Sequence, residues 1–526
     1  MIACSRKSPP PLPPGMLGGG ALERGHRLRT PAFAPAAEEL RIPVLIVGAG
    51  IAGLSAAWRL DRAGHRDFLL LDLEDAVGGN ARHGENDICR YPLGAHYLPL
   101  PTAEATAVRH LLADLGALEG DPLAERPRYD ERLLCHTPQE RVFHNGVWQD
   151  GVFPQLGLAA ADRRQWHEFQ GRMRQFRDAR DARGRRAFAL PVALASRDAR
   201  WTGFDHMTMA EWLVAEGFDS LPLHWYVNYA CRDDFGTDYR QTSAWAGIHY
   251  FACRNGQAAN AAADAVLTAP EGNGWIVTRL AERFRQQTRT AALCHRLTQA
   301  NGKVIAEVAQ DGATGSLRII AEQAIWAAPP FVLPHVAPEL PPALAGLARA
   351  GDHAPWLVAN LSLAELPSAA PGAPLSWDNV IYDAPGLGYV VATHQQVRLA
   401  PSATVFTYYR ALTGQPASAA RELLLQTSRE AWAAAILDEL GGAHPDLPLL
   451  VNRLDVHRHG HAMLRPLPGV VLDPARRALT AGWLNVELAH ADISGMSLFE
   501  EANYHGVRAA EAVLARLGVR TPTLLT

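Results

Sequence analysis

The stretch Val44 to Arg82 constrains this chain more than any other. An apolar run, Val44-Leu45-Ile46-Val47, leads into Gly48-Ala49-Gly50-Ile51-Ala52-Gly53, and Leu54, Ala57, Trp58 and Leu60 then recur at helical spacing. A second apolar run, Phe68 to Leu71, ends in Asp72-Leu73. The order strand, glycine turn, helix, strand, acid is that of a dinucleotide-binding crossover. Gly48 permits the tight turn, Gly50 leaves room for a diphosphate against the backbone, and Gly53 lets helix and strand pack closely. Bare amides at the helix start face the phosphates. Asp72 lies about 20 residues past the glycines, where a carboxylate accepts from a ribose hydroxyl.

The run continues into Gly78-Gly79, then Asn80, Ala81 and Arg82. Here the sequence resembles the FAD-dependent amine oxidase superfamily, which includes protoporphyrinogen oxidases and phytoene desaturase-like enzymes. Those proteins follow the acid with a Gly-Gly-Arg element; in this chain Asn80 stands at the arginine position and Arg82 two residues on. The resemblance implies FAD, with the doublet serving its diphosphate. It also implies an α/β fold in which a Rossmann-type FAD-binding domain is interleaved with a substrate domain of mixed sheet and helices. On that reading residues 42–98, 270–336 and 465–518 form the FAD-binding domain, and 99–269 with 337–464 the substrate domain.

At 526 residues the chain exceeds one compact core. A formal charge of −4 gives no electrostatic basis for binding nucleic acid. Six scattered cysteines, Cys4, Cys89, Cys135, Cys231, Cys253 and Cys294, include no CxxC pair, so neither a zinc framework nor a disulfide scaffold is expected. No apolar run approaches the roughly 20 residues of a spanning helix. Residues 1–41, rich in Pro, Gly and Ala, read as an unstructured or surface-draped leader. Its opening Met1-Ile2-Ala3-Cys4-Ser5 resembles the end of a bacterial lipoprotein signal without the apolar segment before it. Two locations follow: cytoplasmic, or exported and lipid-anchored through Cys4.

The resemblance carries over to further positions. Gly94-Ala95 turns the chain beneath the flavin ring, placing His96 and Tyr97 beside it. Cys294 sits near the adenine through its backbone. Leu479 to Trp483, with Gly482 and Trp483, is the closing flavin strand, and Ser494-Gly495-Met496 precedes the helix whose amides face the flavin's pyrimidine oxygen. The spacing from Ser494 to Gly506 is two residues longer than in the relatives.

Several elements are read from pattern alone. Residues 102–119 form a helix, 141–148 a hairpin about Asn145-Gly146, 160–186 one arginine-rich helix with a solvated face, and 417–440 one helix. Trp245 and His249 share a helix face that belongs either to the core or to the wall of a cavity. His457, His459 and His461 alternate on one strand, so their imidazoles point to one side. They line a flavin pocket, supply a base near neutral pH, bind a metal, or are structural; no fourth ligand is identifiable and no metal is expected.

The implied chemistry is two-electron transfer from a small substrate, amine-like or apolar, to flavin and on to an acceptor. His96, His459 and His461 are the catalytic candidates. Two departures separate the chain from an ordinary amine oxidase. The only lysines are Lys7, in the leader, and Lys303, in an Asn-Gly turn, so neither is set to serve the flavin; and Met496 replaces an aromatic residue of the amine-binding pair. A desaturase, an isomerase, or a non-catalytic flavoprotein binding a partner through its arginine-rich helix are the other readings.

Overall fold

The computed structural model describes residues 11–30, 32–312, 314–368, 370–396 and 403–525. Two large sheets organise the chain. The first holds Ala36–Val47 between Phe68–Leu71 and Ser316–Trp326, all parallel. Thr288–Arg289 extends it beyond Phe68–Leu71, and Lys303–Gln310 and Ala292–Ala300 extend it as an antiparallel meander. Val44, Leu45 and Ile46 are fully buried because helices cover one face and the meander's core the other. That is why this strand is a continuous apolar run without alternation. The helix Ile51–Arg62 packs along one face, and the C-terminal helix Phe499–Arg516 lies against it. A Cβ on Gly506 would run into the carbonyl of Ala52, so that helix pair closes only over glycine.

The second sheet runs in the order Leu17–Gly19, Val451–Leu464, His353–Leu363, Thr404–Ala411, Gly388–Val391, Asp378–Ile381, Glu140–His144 and Val147–Asp150. The last two are the Asn-Gly hairpin, with Asn145 at φ 54° and Gly146 at φ 78°. A layer of helices, among them Ala160–Asp178, Leu221–Phe235 and Ala244–Ala252, buries its own aromatic core. No helix among the described residues is long and apolar enough to cross a membrane.

Five expectations need correction. The first is the unstructured leader: Leu17–Gly19 adds a parallel strand to Val451–Leu464, Leu22–His26 is a helical turn, and the Rossmann strand begins at Ala36. Proline and glycine here set an extended path, and a Cβ on Gly15 would run into Leu454 O. The signal-like segment with Cys4 lies outside the described residues. Second, the arginine-rich helix stops at Asp178; Asp181 accepts the amides of Arg183 and Arg185 and turns the chain back. Third, the helix expected over 417–440 breaks in two, because Ser428 accepts the amide of Ala431 and caps a new helix, Arg429–Gly441. Fourth, Pro474–Ala481 is a 3-10 helix rather than a strand, followed by positive φ at Gly482 and Leu484. The closing parallel strand is Val486–Leu488, against Ala324–Trp326. The helix expected over 102–119 is shorter, Thr106–Asp114, and the chain turns at Gly116.

Candidate active site

The glycine turn is held from every side but one. Gly48 sits at φ 103°, and a Cβ there would lie 2.6 Å from Ala328 N. A Cβ on Gly53 would run into Gly48 O. Gly50 differs: the nearest atom to its missing Cβ is Gly79 Cα at 3.9 Å, so its outer side is open. No side chain caps the helix that begins at Ile51 and Ala52, and the amides of a first turn have no partner within their own helix. Gly78 N donates to Ala49 O (2.8 Å), and Gly78 and Gly79 hold φ of 118° and 55°. The doublet is thereby fixed beside the turn.

Asp72 is buried and accepts the amides of Ala49 and Glu74, both at 2.8 Å. Burial pushes its carboxyl up to about 6, against the lowering effect of those amides. Each oxygen retains a lone pair for a hydroxyl donor. Next to the doublet, Arg82 Nε and His457 Nε2 are buried without a partner. Unpartnered buried donors are costly. Together with the uncapped helix and the open side of Gly50, they fit the diphosphate of the FAD that the resemblance implies.

Asn80 binds the two sheets together: its Nδ2 donates to Ala462 O (2.6 Å) and its carbonyl accepts Ala95 N (2.8 Å). Gly94 docks on the same carbonyl, and Gly94 O accepts from Tyr409 (3.0 Å). Leu73 offers its carbonyl to Arg24 (2.6 Å). The Cys294 thiol is buried in the meander's core and pushed up to about 12 by that burial, so it is inert.

Gly482 and Trp483 lie away from the groove. Trp483 is packed with Leu479 and Val486 in the core of the first sheet. Ser494 is bonded to Glu501 and His505, Gly495 is at φ 79°, and Met496 is fully buried in the helical core. The residues that reach the cavity are Ser497 to Glu500. This later stretch accounts for the longer spacing up to Gly506.

A cavity opens between the sheets and the helical layer. Asn80, Gly94 and Ala95 form its floor, Trp356, Val358 and Tyr409 one wall, and Asp233, Asp234 and Arg254 its far side. His96 faces it, its ring centroid 4.5 Å from that of Tyr409; burial pushes this imidazole down to about 3, so it is neutral. His459 also lines it and donates from Nε2 to Leu93 O (2.7 Å). His457 follows along the strand toward Arg82, 4.6 Å from His459 between ring centroids. His461 is exposed and packs on Phe331, 4.9 Å away, outside the cavity, which removes it from direct contact with a substrate. Among the described residues no three metal-ligating side chains gather. Trp245 and His249 are fully buried, and His249 Nε2 is bonded to Ala189 O (3.1 Å). The segment ending at Leu190 separates them from the cavity, so they belong to the core.

The acids of the cavity were not legible by motif. Asp234 pairs with Arg254 (2.8 Å), whose guanidinium also donates to Tyr97 Oη (3.1 Å) and lies over the Tyr250 ring. Asp233 forms no hydrogen bond or ion pair with the described residues; burial and the neighbouring Asp234 push it up to about 7. Glu500, at the start of the C-terminal helix, is pushed up to about 7 by burial. One signal was present in the sequence. Asp233 and Asp234 close the helix Leu221–Phe235 at its negative end, where acids are unfavourable.

Comparison with known proteins agrees with this architecture. A family model described as an NAD(P)-binding Rossmann-like domain matches residues 46–115. Among solved structures, putrescine oxidase bound to putrescine superposes with a TM-score of 0.64 at 16% identity, over 91% of this chain and 100% of that one. Cyclohexylamine oxidase from Brevibacterium oxydans gives 0.64 at 17% identity, over 91% and 99%. The CLA-producing fatty acid isomerase from P. acnes gives 0.60 at 14% identity, over 90% and 98%.

Proposed function

We propose that this chain, which shares the fold of flavin-dependent amine oxidases, is an FAD-dependent oxidoreductase that oxidises a small organic amine bound as a cation. One observation carries the reading: in a mostly apolar cavity, two carboxylates stand without a basic partner of their own among the described residues, Asp233 with no hydrogen bond at all and Glu500 bonded only to its own backbone amide. Three carboxylates face a single guanidinium there, so the formal balance is negative. Buried carboxylates are raised because nothing compensates them. An ammonium group would do so, and the apolar walls suit its alkyl part.

When bound, FAD supplies the two-electron acceptor chemistry. The groove residues Gly48 to Gly53, Asp72, Gly78, Gly79 and Arg82 would hold its dinucleotide part, and Gly94 and Ala95 would serve its ring. The chain's own residues orient the substrate and manage its proton. Asp233 Oδ accepts from the ammonium and, with a pKa near neutrality, takes up the proton the nitrogen must lose before it gives up electrons. Trp356, Val358 and Tyr409 exclude water from the reacting carbon. Lys303 pairs with Glu322 on an exposed hairpin, so it takes no part. A carboxylate substrate, as a fatty acid isomerase binds, is less well served, because Arg254 is already committed to Asp234 and Tyr97.

The test is anaerobic flavin reduction. Bleaching of the bound flavin by an alkyl or aryl amine, and not by unsaturated fatty acids, supports the reading. Bleaching by dithionite alone, across a broad amine panel, refutes it and favours a binding protein.

A further inference from the structure

We propose that the N-terminal segment, residues 11–30 with 32–35, is part of the cofactor site: a strap folded across the adenosine end of the dinucleotide groove that governs flavin release. The proposal rests on the reading that FAD occupies that groove.

The path of the segment supports it. It starts on the far side of the groove, where Leu17–Gly19 pairs in parallel with Val456–Arg458 and Pro14 O and Met16 O accept the amides of Leu454 and Val456. Gly18 thereby lies directly against His457, whose Nε2 is one of the two unpartnered nitrogens. The chain then crosses to Glu74, two residues past the acid that ends the second Rossmann strand. Ala21 N donates to both oxygens of Glu74 (2.9 and 3.0 Å), and Glu74 accepts in turn from the Nη1 of Arg82, whose Nε is the other unpartnered nitrogen. Arg24 is the clasp. Its guanidinium donates to Leu73 O (2.6 Å), Asp75 (2.8 Å) and Asp311 (2.6 Å), so it joins the residues just after Asp72 to a turn of the meander. Finally Phe33 stacks on His295, ring centroids 3.9 Å apart and planes 8° from parallel, one residue from Cys294. Both walls of the adenosine end, Leu73 to Asp75 and Cys294 to His295, are thus held by the same short segment.

Charge agrees with position. Residues 11–30 contain three arginines, Arg24, Arg27 and Arg29, against the single acid Glu23. A positive segment over a groove built for a diphosphate is complementary to it. The contacts are hydrogen bonds and one ring stack rather than a deep apolar core, and such an element opens locally at lower free energy than the sheets beneath it. FAD enters while the strap is open and is retained when it closes.

The test uses the full-length holoenzyme. Arg24→Ala removes the clasp; Ala21→Pro removes one donor while keeping the φ of −69° that this residue already has. Flavin release is followed by the recovery of FAD fluorescence on dilution, and the melting temperature of the flavin-free protein is measured in parallel. The expected result is FAD release accelerated at least tenfold in the double variant, with the flavin-free melting temperature within about 2 °C of wild type. Release within twofold of wild type overturns the proposal, as does a large drop in flavin-free stability with unchanged release, which would make the segment a tie between the sheets only. A wild-type protein that never takes up FAD is a different failure, of the functional reading itself.

Discussion

Replacing Asp233 by Asn tests the substrate reading at the residue it depends on most. Asp233 lacks a protein partner, and burial and Asp234 push it up to about 7. An opposite charge about 4 Å away is worth ~4 kcal/mol at an effective dielectric of 20. Because a carboxyl near 7 is half protonated at neutral pH, about 0.4 kcal/mol of that is spent on deprotonation. Glu500 remains as a second acid and recovers a further part, so we expect a net loss of ~2 kcal/mol, or a rise in amine Kd of roughly 30-fold. The sign of the pH dependence follows. The carboxylate must be ionised to hold the ammonium, so wild-type affinity is highest above pH 7 and falls about tenfold per unit below it. Asp234, Arg254, Glu140 and Arg232 all act on Asp233, and the Asp233–Asp234 pair titrates as a unit. In the Asn variant this acid limb flattens. Folding moves the other way: a carboxyl raised above its unfolded value stabilises the fold least at high pH, so the variant should melt higher than wild type at pH 8. Stopped-flow flavin reduction across pH 5.5–9 gives Kd, and calorimetry the melting point. A Kd within threefold of wild type with an unchanged pH profile refutes the argument.

Two further outcomes follow from packing and charge. Gly506→Ala drives a methyl group into Ala52 O at the crossing of the C-terminal and dinucleotide helices; we expect ~2 kcal/mol or more of destabilisation in urea unfolding, in the range of overpacked sites. Asp234→Asn removes the direct ion partner of Arg254; the pair is only partly buried and other carboxylates line the same cavity, so we expect ~1–3 kcal/mol, read as a lower melting temperature that Arg254→Met on the same background partly restores.

The dinucleotide half of the molecule was legible because every one of its signals is local. Gly48 and Gly53 are needed where backbone meets backbone, the Gly78-Gly79 doublet holds positive φ, and the apolar run through Ile46 is buried on both faces. The closing strand was misplaced because Leu479 to Trp483 is apolar and ends near a glycine, whereas the shorter Val486–Leu488 has the pairing partner. Trp245 and His249 shared a face as read, but which neighbour covers that face is a long-range fact, supplied by Ala189. The cavity acids escaped because Asp233 and Glu500 are 267 positions apart and meet only through the fold. Glycine in the leader signals close packing as readily as freedom: Gly15 and Gly19 allow close approach to the neighbouring strand Val451–Leu464.

The central claim is that the groove between Gly50, Asp72 and Arg82 holds FAD, and Gly50→Ala addresses it most directly. The added methyl group meets only Gly79 Cα at ordinary contact distance, so the flavin-free protein should fold and melt as wild type does, while the open side a diphosphate needs is filled. Titration with FAD, followed by absorbance near 450 nm and by calorimetry, should show one equivalent bound to wild type and binding at least 100-fold weaker in the variant. Folded wild-type protein that takes up no flavin, or a variant that binds it equally well, contradicts the account.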